Sequence, residues 1–355
     1  MLRFTARATV ARFVAAALAL GLGAAAVSLP PAPAQADEHG RLTFTEENDG
    51  LLPDGRDRHY TQGAMITFLS PSVRPEDVTT RLFDGVASVL PIFQSGAGTQ
   101  RKFAVTVGQT IFTPTRTHDA VPDPTDRPFA GYLFTGGSLM QDTGGTLLET
   151  LEVLGGVVGP DSLARQAQEA FHAVAGFNNQ NLDQGYRYQL RNEPGFLVTY
   201  ERKWRLWQTH VAGFEAEVIP EAGLTAGNVM TYAAAGATVR FGQNLGVDYG
   251  MERIRPAAGG SAWFDAARLE HDIGWSLFAS LQGRAVAHNI FLDGNSVVNS
   301  RSVEKNIGVG DVSAGASVFY RDWAKFDVSF TERSKEFRTQ QGADHFGQAS
   351  LAVRF

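Results

Sequence analysis

An alternation of apolar and polar residues, repeated in segments of about ten residues, is the feature that most constrains what this chain can fold into. In segment 323–330 (WAKFDVSF), for example, Phe326, Val328 and Phe330 share one face, opposite mostly polar residues. Gly, Asp, Asn and Pro separate the segments, and no run of 18 apolar residues follows residue 36, so the pattern predicts strands and not a membrane-spanning helix. The candidate strands are 41–48, 59–69, 102–112, 129–142, 146–158, 195–208, 210–222, 229–242, 271–289, 303–320, 323–337 and 345–355.

Residues 1–36 have the composition of a secretory signal peptide. Three arginines and no acidic residue open the segment, an apolar run follows over 13–29, and Ala34-Gln35-Ala36 supplies a cleavage site of small residues. A short transmembrane anchor is the alternative, but the apolar run is shorter than the about 20 residues that a span needs. We therefore expect an exported chain whose single domain is 37–355.

The polarity of the segments favours a barrel in a membrane. Phe and Trp recur on one face, while Ser, Thr, Gly, Asp and Arg occupy the other. A soluble β-sandwich also alternates, but its outward face would be polar. An aromatic residue, Phe355, ends an alternating last segment, which is typical of bacterial outer-membrane barrels. The sequence thus predicts an all-β fold: a closed antiparallel transmembrane β-barrel of about 12 strands in the outer membrane, because closure leaves no unpaired edge in lipid.

Composition excludes several classes of protein. Hydrophobic residues make up 43% of the 355 residues and aromatic residues 10%, which is too much for an intrinsically disordered chain. The formal net charge is −6 and no basic run occurs, so nucleic acid is not an expected partner. The chain has no cysteine, which excludes disulfides and thiolate chemistry.

One clear helical stretch, 160–176, interrupts the strands, and we expect it near the extracellular rim of the barrel. Gln168 and His172 are four residues apart and therefore share a face of this helix. A barrel needs no helix between its strands, so a helix that carries a histidine calls for an explanation. Imidazole is largely neutral near pH 7 and can accept a proton, so His172 could act as a general base. A structural or exposed histidine is the alternative, and the sequence alone leaves both open.

The end of the first strand, Glu46-Glu47-Asn48-Asp49-Gly50, carries adjacent side-chain oxygens. Such a group suits a hard cation such as Ca²⁺. Asn-Asp-Gly is equally typical of a plain polar β-turn, and the chain contains no EF-hand spacing. Both interpretations stay open at this point.

A third polar segment, Asp126-Arg127-Pro128-Phe129-Ala130-Gly131-Tyr132, leads into a strand. Arg127 could bind a phosphate or carboxylate in a bidentate manner, or form a salt bridge with Asp126. The sequence contains no Gly-x-Ser-x-Gly, His-Glu-x-x-His or phosphate-binding loop. Any hydrolysis is therefore expected to use water and not a covalent serine.

Taken together and in this order, these segments resemble the outer-membrane lipid A 3′-O-deacylase family over nearly the whole mature chain. The matching stretches are Glu47-Asn48-Asp49, Tyr60-Thr61-Gln62-Gly63, Gly108-Gln109 with Thr113-Pro114, 126–132, 155–160 with Gln168 and His172, Gln189, Asn192-Glu193-Pro194, Pro220, Gly227-Asn228, 236–240 and Glu336-Phe337.

The resemblance implies a twelve-stranded barrel with its active site near the extracellular rim. It also implies a Ca²⁺-dependent hydrolase that removes the 3′-linked acyloxyacyl group from the lipid A of lipopolysaccharide. The expected surroundings are outer-membrane lipids, and the expected oligomeric state is a monomer.

Site roles follow from the same resemblance. Asn48, Thr61, Gln168 and His172 fall on catalytic positions of the family, with His172 as the base, and Asp49 falls on the position that holds Ca²⁺. Gln168 or Asn48 would orient His172 or the attacking water. The family's acid shortly after the base has no match at that spacing, where Asn178 stands, and the next acid is Asp183.

Two other functions fit the same barrel. One is a phospholipase or a deacylase of another acyl position. The other is a non-catalytic barrel, either a narrow pore or a structural protein. A pore would carry charged and small residues along its lumen and would need no helix with a histidine.

Overall fold

The structure is a computed structural model, and it describes residues 39–51, 57–96, 98–175, 182–254 and 261–355. The predicted signal peptide, 1–36, lies outside these residues. No helix within the described ranges is both long and apolar enough to cross a membrane.

Thirteen antiparallel strands form one sheet in the described residues, and consecutive strands are hydrogen-bonded neighbours except β6 and β7. A direct pairing of β6 with β8 closes the sheet into a ring of twelve, and β7 extends outside the ring as the partner of β8. The first and last strands also pair, over the whole length of β1. The strands are β1 (Arg41–Asn48), β2 (His59–Leu69), β3 (Thr99–Thr113), β4 (Ala130–Thr143), β5 (Leu147–Val158), β6 (Glu193–Trp204), β7 (Trp207–Val211), β8 (Phe214–Gly227), β9 (Met230–Gln243), β10 (Ile273–Asn289), β11 (Gly308–Tyr320), β12 (Ala324–Arg333) and β13 (Asp344–Arg354).

The closed ring confirms the predicted barrel and excludes the β-sandwich. The largest difference from the predicted strands lies at 195–208 and 210–222. Strand β6 ends at Trp204, and a tight turn at Ala212-Gly213, where both residues have positive φ, folds β7 back on β8. The predicted strand that was to start at residue 210 therefore starts at Phe214.

Four short α-helices accompany the barrel in the described residues: α1 (Val78–Val89), α2 (Ala164–Ala175), α3 (Leu182–Tyr186) and α4 (Ile290–Asp293). The predicted helix 160–176 is divided into a 3₁₀ turn, Pro160–Ser162, and α2, because Leu163 between them has a left-handed backbone (φ 60°). The predicted helix is therefore present as α2, and only its first turn is a separate 3₁₀ element. In α1 only Phe83 is buried, and it packs against Phe93.

The outer surface of the ring is apolar. Its strands expose large hydrophobic side chains that a soluble protein would bury, and this band is the surface that lipid covers. The exposed residues include Val105, Val107, Val153, Phe196, Val198, Leu224, Val239, Leu277, Leu281, Val312, Val318 and Val328.

Many charged side chains line the described interior of the barrel, and most of them form ion-pair networks. Near one end, Arg333 makes two hydrogen bonds to Asp311 (2.9 and 3.0 Å), which also binds Arg284 (3.2 Å). Near the other end, Glu217 accepts a hydrogen bond from Arg240 (2.6 Å). Buried charges are retained only with such partners, because an unpaired charge away from water is costly.

The two openings of the barrel differ. We call the one where β1 begins and β13 ends the terminal rim, and the opposite one the site rim. Residues 245–254 and 261–269, here the insertion, belong to the connection between β9 and β10 at the terminal rim and fold into the lumen, where Tyr249 and Trp263 are buried. At the site rim, α4 enters the lumen and Phe291 stacks on Phe112 of β3 (ring centroids 4.1 Å). Neither filling element was predicted.

Candidate functional site

The turn after β1 places Asn48 and Asp49 at the site rim. The Asn48 Oδ1 atom accepts the Gly50 N–H (2.6 Å), and Asp49 Oδ2 accepts the Arg58 N–H (2.8 Å). Asp49 is only 4% exposed, and its second oxygen, Oδ1, is buried without a hydrogen bond from any described residue. Burial, followed by the negative charge of Asp57, raises the pKa of the Asp49 carboxyl well above its usual range.

A β-bulge sets the position of Thr61. Tyr60 pairs with Phe112 and Gln62 with Ile111, so Thr61 is the extra residue on β2. A bulge turns one more side chain to the same side of the strand, and Thr61 is buried (1% exposed) with its hydroxyl 2.7 Å from that of Thr113.

Helix α2 brings Gln168 and His172 to one acidic residue, Asp57, which directly precedes β2. The His172 Nε2 atom lies 2.6 Å from Asp57 Oδ2, and Gln168 Nε2 donates a hydrogen bond to the same oxygen (2.9 Å). The Tyr186 hydroxyl donates in turn to Gln168 Oε1 (2.8 Å). His172 is only 1% exposed, whereas the Asp57 side chain is 16% exposed, so the pair lies at the edge of a buried region.

The segment 126–132 holds α2 in place. Phe129 is buried and packs against Tyr186 (ring centroids 4.6 Å), in one cluster with Ala164. A Cβ atom added at Gly131 would lie 2.3 Å from both the Ala164 Cβ and the Ser162 Oγ atoms. Only glycine therefore allows this close approach of β4 to the start of α2.

Arg127 has neither of the two roles proposed from the sequence. Its side chain is fully buried, bonds to Glu336 (3.1 Å) and lies over the ring of Phe112 (4.6 Å). The Asp126 carboxylate instead accepts the backbone N–H of Arg127 (2.7 Å). Arg127 is thus part of the barrel interior and is not available to an external phosphate.

The sequence-predicted residues meet only in part. Gln168 and His172 share Asp57, and Asp49 interacts electrostatically with the same carboxylate. The hydrogen bonds described for Asn48 and Thr61 go to Gly50 and Thr113. Among the described residues, Asp57 is therefore the common neighbour of the acid turn and the helix, and the sequence analysis missed it.

The donor set suits a cation that takes part of its coordination from elsewhere. No group of three or more His, Cys, Asp or Glu suited to a metal occurs in the part of the chain that the structure describes. The Asp49 Oδ1 atom, buried and without a hydrogen bond among the described residues, is nevertheless an oxygen of the type that Ca²⁺ prefers. The residues thus fit Ca²⁺ if water and substrate complete its coordination.

Comparison with known proteins gives one family and one close structural likeness. A family model described as outer membrane protein LpxR matches residues 17–355. The chain is similar to the solved structure of LpxR from Salmonella typhimurium (TM-score 0.70, 19% identity, covering 89% of this chain and 100% of that one), which shows a shared fold. The β-domain of the Bordetella autotransporter BrkA has a TM-score of 0.40 at 10% identity, covering 89% and 98% of the two chains. No curated protein matches the chain.

Replacing Gly131 with alanine should loosen α2 from the rim. The added methyl group collides with Ala164 and Ser162, so the amides of α2 should exchange hydrogen faster while the barrel strands stay protected. Hydrogen exchange followed by mass spectrometry measures this. Gly155→Ala is the control, because a Cβ atom there meets nothing within 4 Å. Equal exchange of α2 in the two variants would contradict the role assigned to Gly131.

Proposed function

Because the chain belongs to the LpxR family of outer membrane proteins, we propose that it is a Ca²⁺-dependent ester hydrolase that removes the 3′-linked acyloxyacyl group of lipid A. Family and closed barrel make it an integral protein of the outer membrane. The observation that carries the proposed hydrolysis is the buried group of His172, Asp57 and Gln168 beside the Asp49 turn.

The site rim faces outward in this proposal. Outer-membrane barrels have short turns on the periplasmic side and longer loops outside. The site rim carries the connections 114–129, 159–192 and 290–307. The terminal rim has the short turns 144–146 and 321–323 beside two longer connections, 70–98 and 244–272, the second of which folds into the lumen. Lipid A forms the outer leaflet, so its ester bonds can reach the site rim while its acyl chains stay beside the barrel wall.

Proton transfer by His172 follows from the geometry of the imidazole ring. The His172 Nε2 atom lies 2.6 Å from Asp57 Oδ2, and a neutral imidazole that carries its hydrogen on Nε2 accepts at Nδ1. Nδ1 would take a proton from water as the water oxygen attacks the acyl carbonyl carbon. The ester C–O bond then breaks, and the same proton passes from Nδ1 to the departing sugar oxygen, which gives a free fatty acid and a free hydroxyl group.

Asp57 and Gln168 act through His172 and are positioning residues. The Asp57 carboxylate fixes which ring nitrogen carries hydrogen, and it stabilises the imidazolium that forms when Nδ1 is protonated. Gln168 holds Asp57 Oδ2 from one side and is itself held by Tyr186. This chain lacks an acid at the family's spacing after the base, and Asp57 supplies a carboxylate at the histidine from another part of the sequence.

Asp49 would hold the cation through its buried Oδ1 atom, with Asn48 beside it in the same turn. Bound Ca²⁺ supplies a positive charge that polarises the acyl carbonyl and stabilises negative charge on its oxygen. Asp57 is already engaged by His172 and Gln168, which leaves the cation to Asp49.

The filled lumen argues against the pore alternative. The insertion and α4 bury large side chains inside the described part of the barrel from both ends, among them Trp263 and Phe291. No observation favours a phospholipase over a lipid A deacylase, so the test below includes both lipids.

Removing the base should abolish deacylation without unfolding the barrel. In cells that express His172→Ala, mass spectrometry should show fully acylated lipid A, whereas the wild type should release the 3′-linked group; loss of a general base costs about 10²–10⁴-fold in rate. The matched control is His210→Ala, an exposed histidine on β7. Identical lipid A from wild type and His172→Ala would refute the enzyme proposal, and release from phospholipid alone would indicate a phospholipase.

Asp57→Asn should lower kcat by about 10²-fold or more and leave KM nearly unchanged, since Asp57 contacts the imidazole and not the substrate. Steady-state kinetics on purified protein in detergent measures both constants. Asp119→Asn, an exposed carboxylate paired with Arg116, serves as the control. A rise in KM with unchanged kcat would show that Asp57 binds substrate and does not position His172.

Chelation should silence the enzyme, and Ca²⁺ should restore it. EGTA binds Ca²⁺ and so removes the positive charge that would stabilise negative charge on the acyl carbonyl oxygen. Ester hydrolysis should therefore return only when Ca²⁺ is added in excess of the chelator. Asp49→Asn should need a higher Ca²⁺ concentration for half-maximal activity, because an amide oxygen replaces a carboxylate. Undiminished turnover in EGTA would exclude the metal role.

A further inference from the structure

A cleft rich in arginine opens at the site rim beside α2. It has a volume of about 650 Å³ and is lined by Arg165, Arg187, Arg191 and Arg301, with no acidic residue among its lining residues. This concentration of positive charge stands out because the whole chain is acidic, with a net charge of −6. Glu169 lies 3.9 Å from Arg165, and the carboxylates of Asp123 and Asp126 attract Arg301.

Two loops of the barrel build the cleft and are bonded to each other. Asn295, after α4, accepts the Arg191 N–H through its side chain and donates to the Arg191 carbonyl oxygen (both 2.9 Å). Arg301 donates to the carbonyl oxygens of Pro122 and Asp123 on a third loop. The guanidinium groups therefore stand on loops fixed relative to each other, and the bonds of Arg301 to carbonyl oxygens hold it in place without consuming its charge.

Other lining groups suit a sugar. Tyr186 and Tyr188 contribute aromatic surface, and the side-chain oxygen of Gln189 is buried and accepts no hydrogen bond from the described residues. An acceptor of this kind suits a hydroxyl group of a ligand, because a buried polar atom without a partner is costly. Arginines with an aromatic wall and an open acceptor are a set that recognises a phosphorylated saccharide.

The cleft is linked to the proposed active site by a single side chain. Tyr186 lines the cleft, and its hydroxyl binds Gln168, which binds Asp57 beside His172. A ligand held in the cleft therefore lies next to the group that orients the base.

We propose that this cleft binds the phosphate groups of the substrate's phosphorylated disaccharide and so places the acyl ester at His172. The inference rests on the proposed function for its substrate, but the binding itself does not depend on catalysis. Bidentate guanidinium–phosphate pairs supply the affinity, which should fall as salt concentration rises.

The test measures binding of glucosamine disaccharide 1,4′-bisphosphate, which carries no acyl chain, to the purified full-length barrel by titration calorimetry. Arg187→Gln/Arg191→Gln should weaken binding about tenfold or more, because each loss removes charge-assisted hydrogen bonds. Arg116→Gln/Arg338→Gln removes two equally exposed charges outside the cleft lining and should change the affinity less than about twofold. Heat-modifiable migration in gels shows that each variant is a folded barrel.

Equal affinities of the two double variants would overturn the proposal. So would binding of the unphosphorylated disaccharide as tight as that of the bisphosphate, or tighter binding of a phosphate-free disaccharide that carries an acidic sugar. The binding and activity measurements distinguish failure of the cleft proposal from failure of the enzyme proposal. Arginine-dependent binding by a protein that leaves lipid A acylated would reject the hydrolase alone, and deacylation that is indifferent to Arg187 and Arg191 would reject the cleft alone.

Discussion

The pairing that closes the ring is the contact on which the rest of the structure depends. Backbone groups of a strand in lipid find no water, so each edge must meet another strand. Here β6 meets β8 and β1 meets β13, which forces apolar side chains outward and charged ones inward. This placement of apolar side chains outside and charged side chains inside explains the polar interior and its ion-pair networks. It also explains how the rim can carry a polar site beside lipid.

Strand positions were the most predictable part of the chain, and the physical reason is simple. One face of each barrel strand meets lipid and the other meets a polar interior, so apolar and polar residues must alternate along the sequence of the strand. The insertion and α4 left no such signal. Their side chains are buried only because a barrel surrounds them, and α4, with four residues, is too short for a helical period. The turn at Ala212-Gly213 that creates β7 was likewise hidden within an alternating segment.

Some parts of the candidate site depend only on the spacing of residues within one helix or one turn, and these parts could be predicted from the sequence. Gln168 and His172 share a face of α2 as their four-residue spacing requires, and the Asp49 turn follows β1 directly. Asp57 was missed because it is one acid in a polar connection, and nothing in a single sequence shows that a helix more than 100 residues later will cover it. Arg127 and Glu336, 209 residues apart, pose the same problem: their pairing exists only through the closure of the ring.

The insertion supplies acidic and carbonyl groups that pair with positive side chains of the barrel wall. Its Asp248 carboxylate pairs with Arg240 of β9 and Lys325 of β12 (Lys325 Nζ–Oδ2 2.8 Å), while Lys102 of β3 donates to its Phe264 carbonyl oxygen (2.8 Å). Without this segment, Arg240 and Lys325 would lose the Asp248 carboxylate and Lys102 would lose the Phe264 carbonyl oxygen, and these cations would face a water-filled bore. Positive side chains that line a bore favour the passage of anions. A filled barrel and an open, anion-favouring one thus differ, in this architecture, by one stretch of chain at the terminal rim.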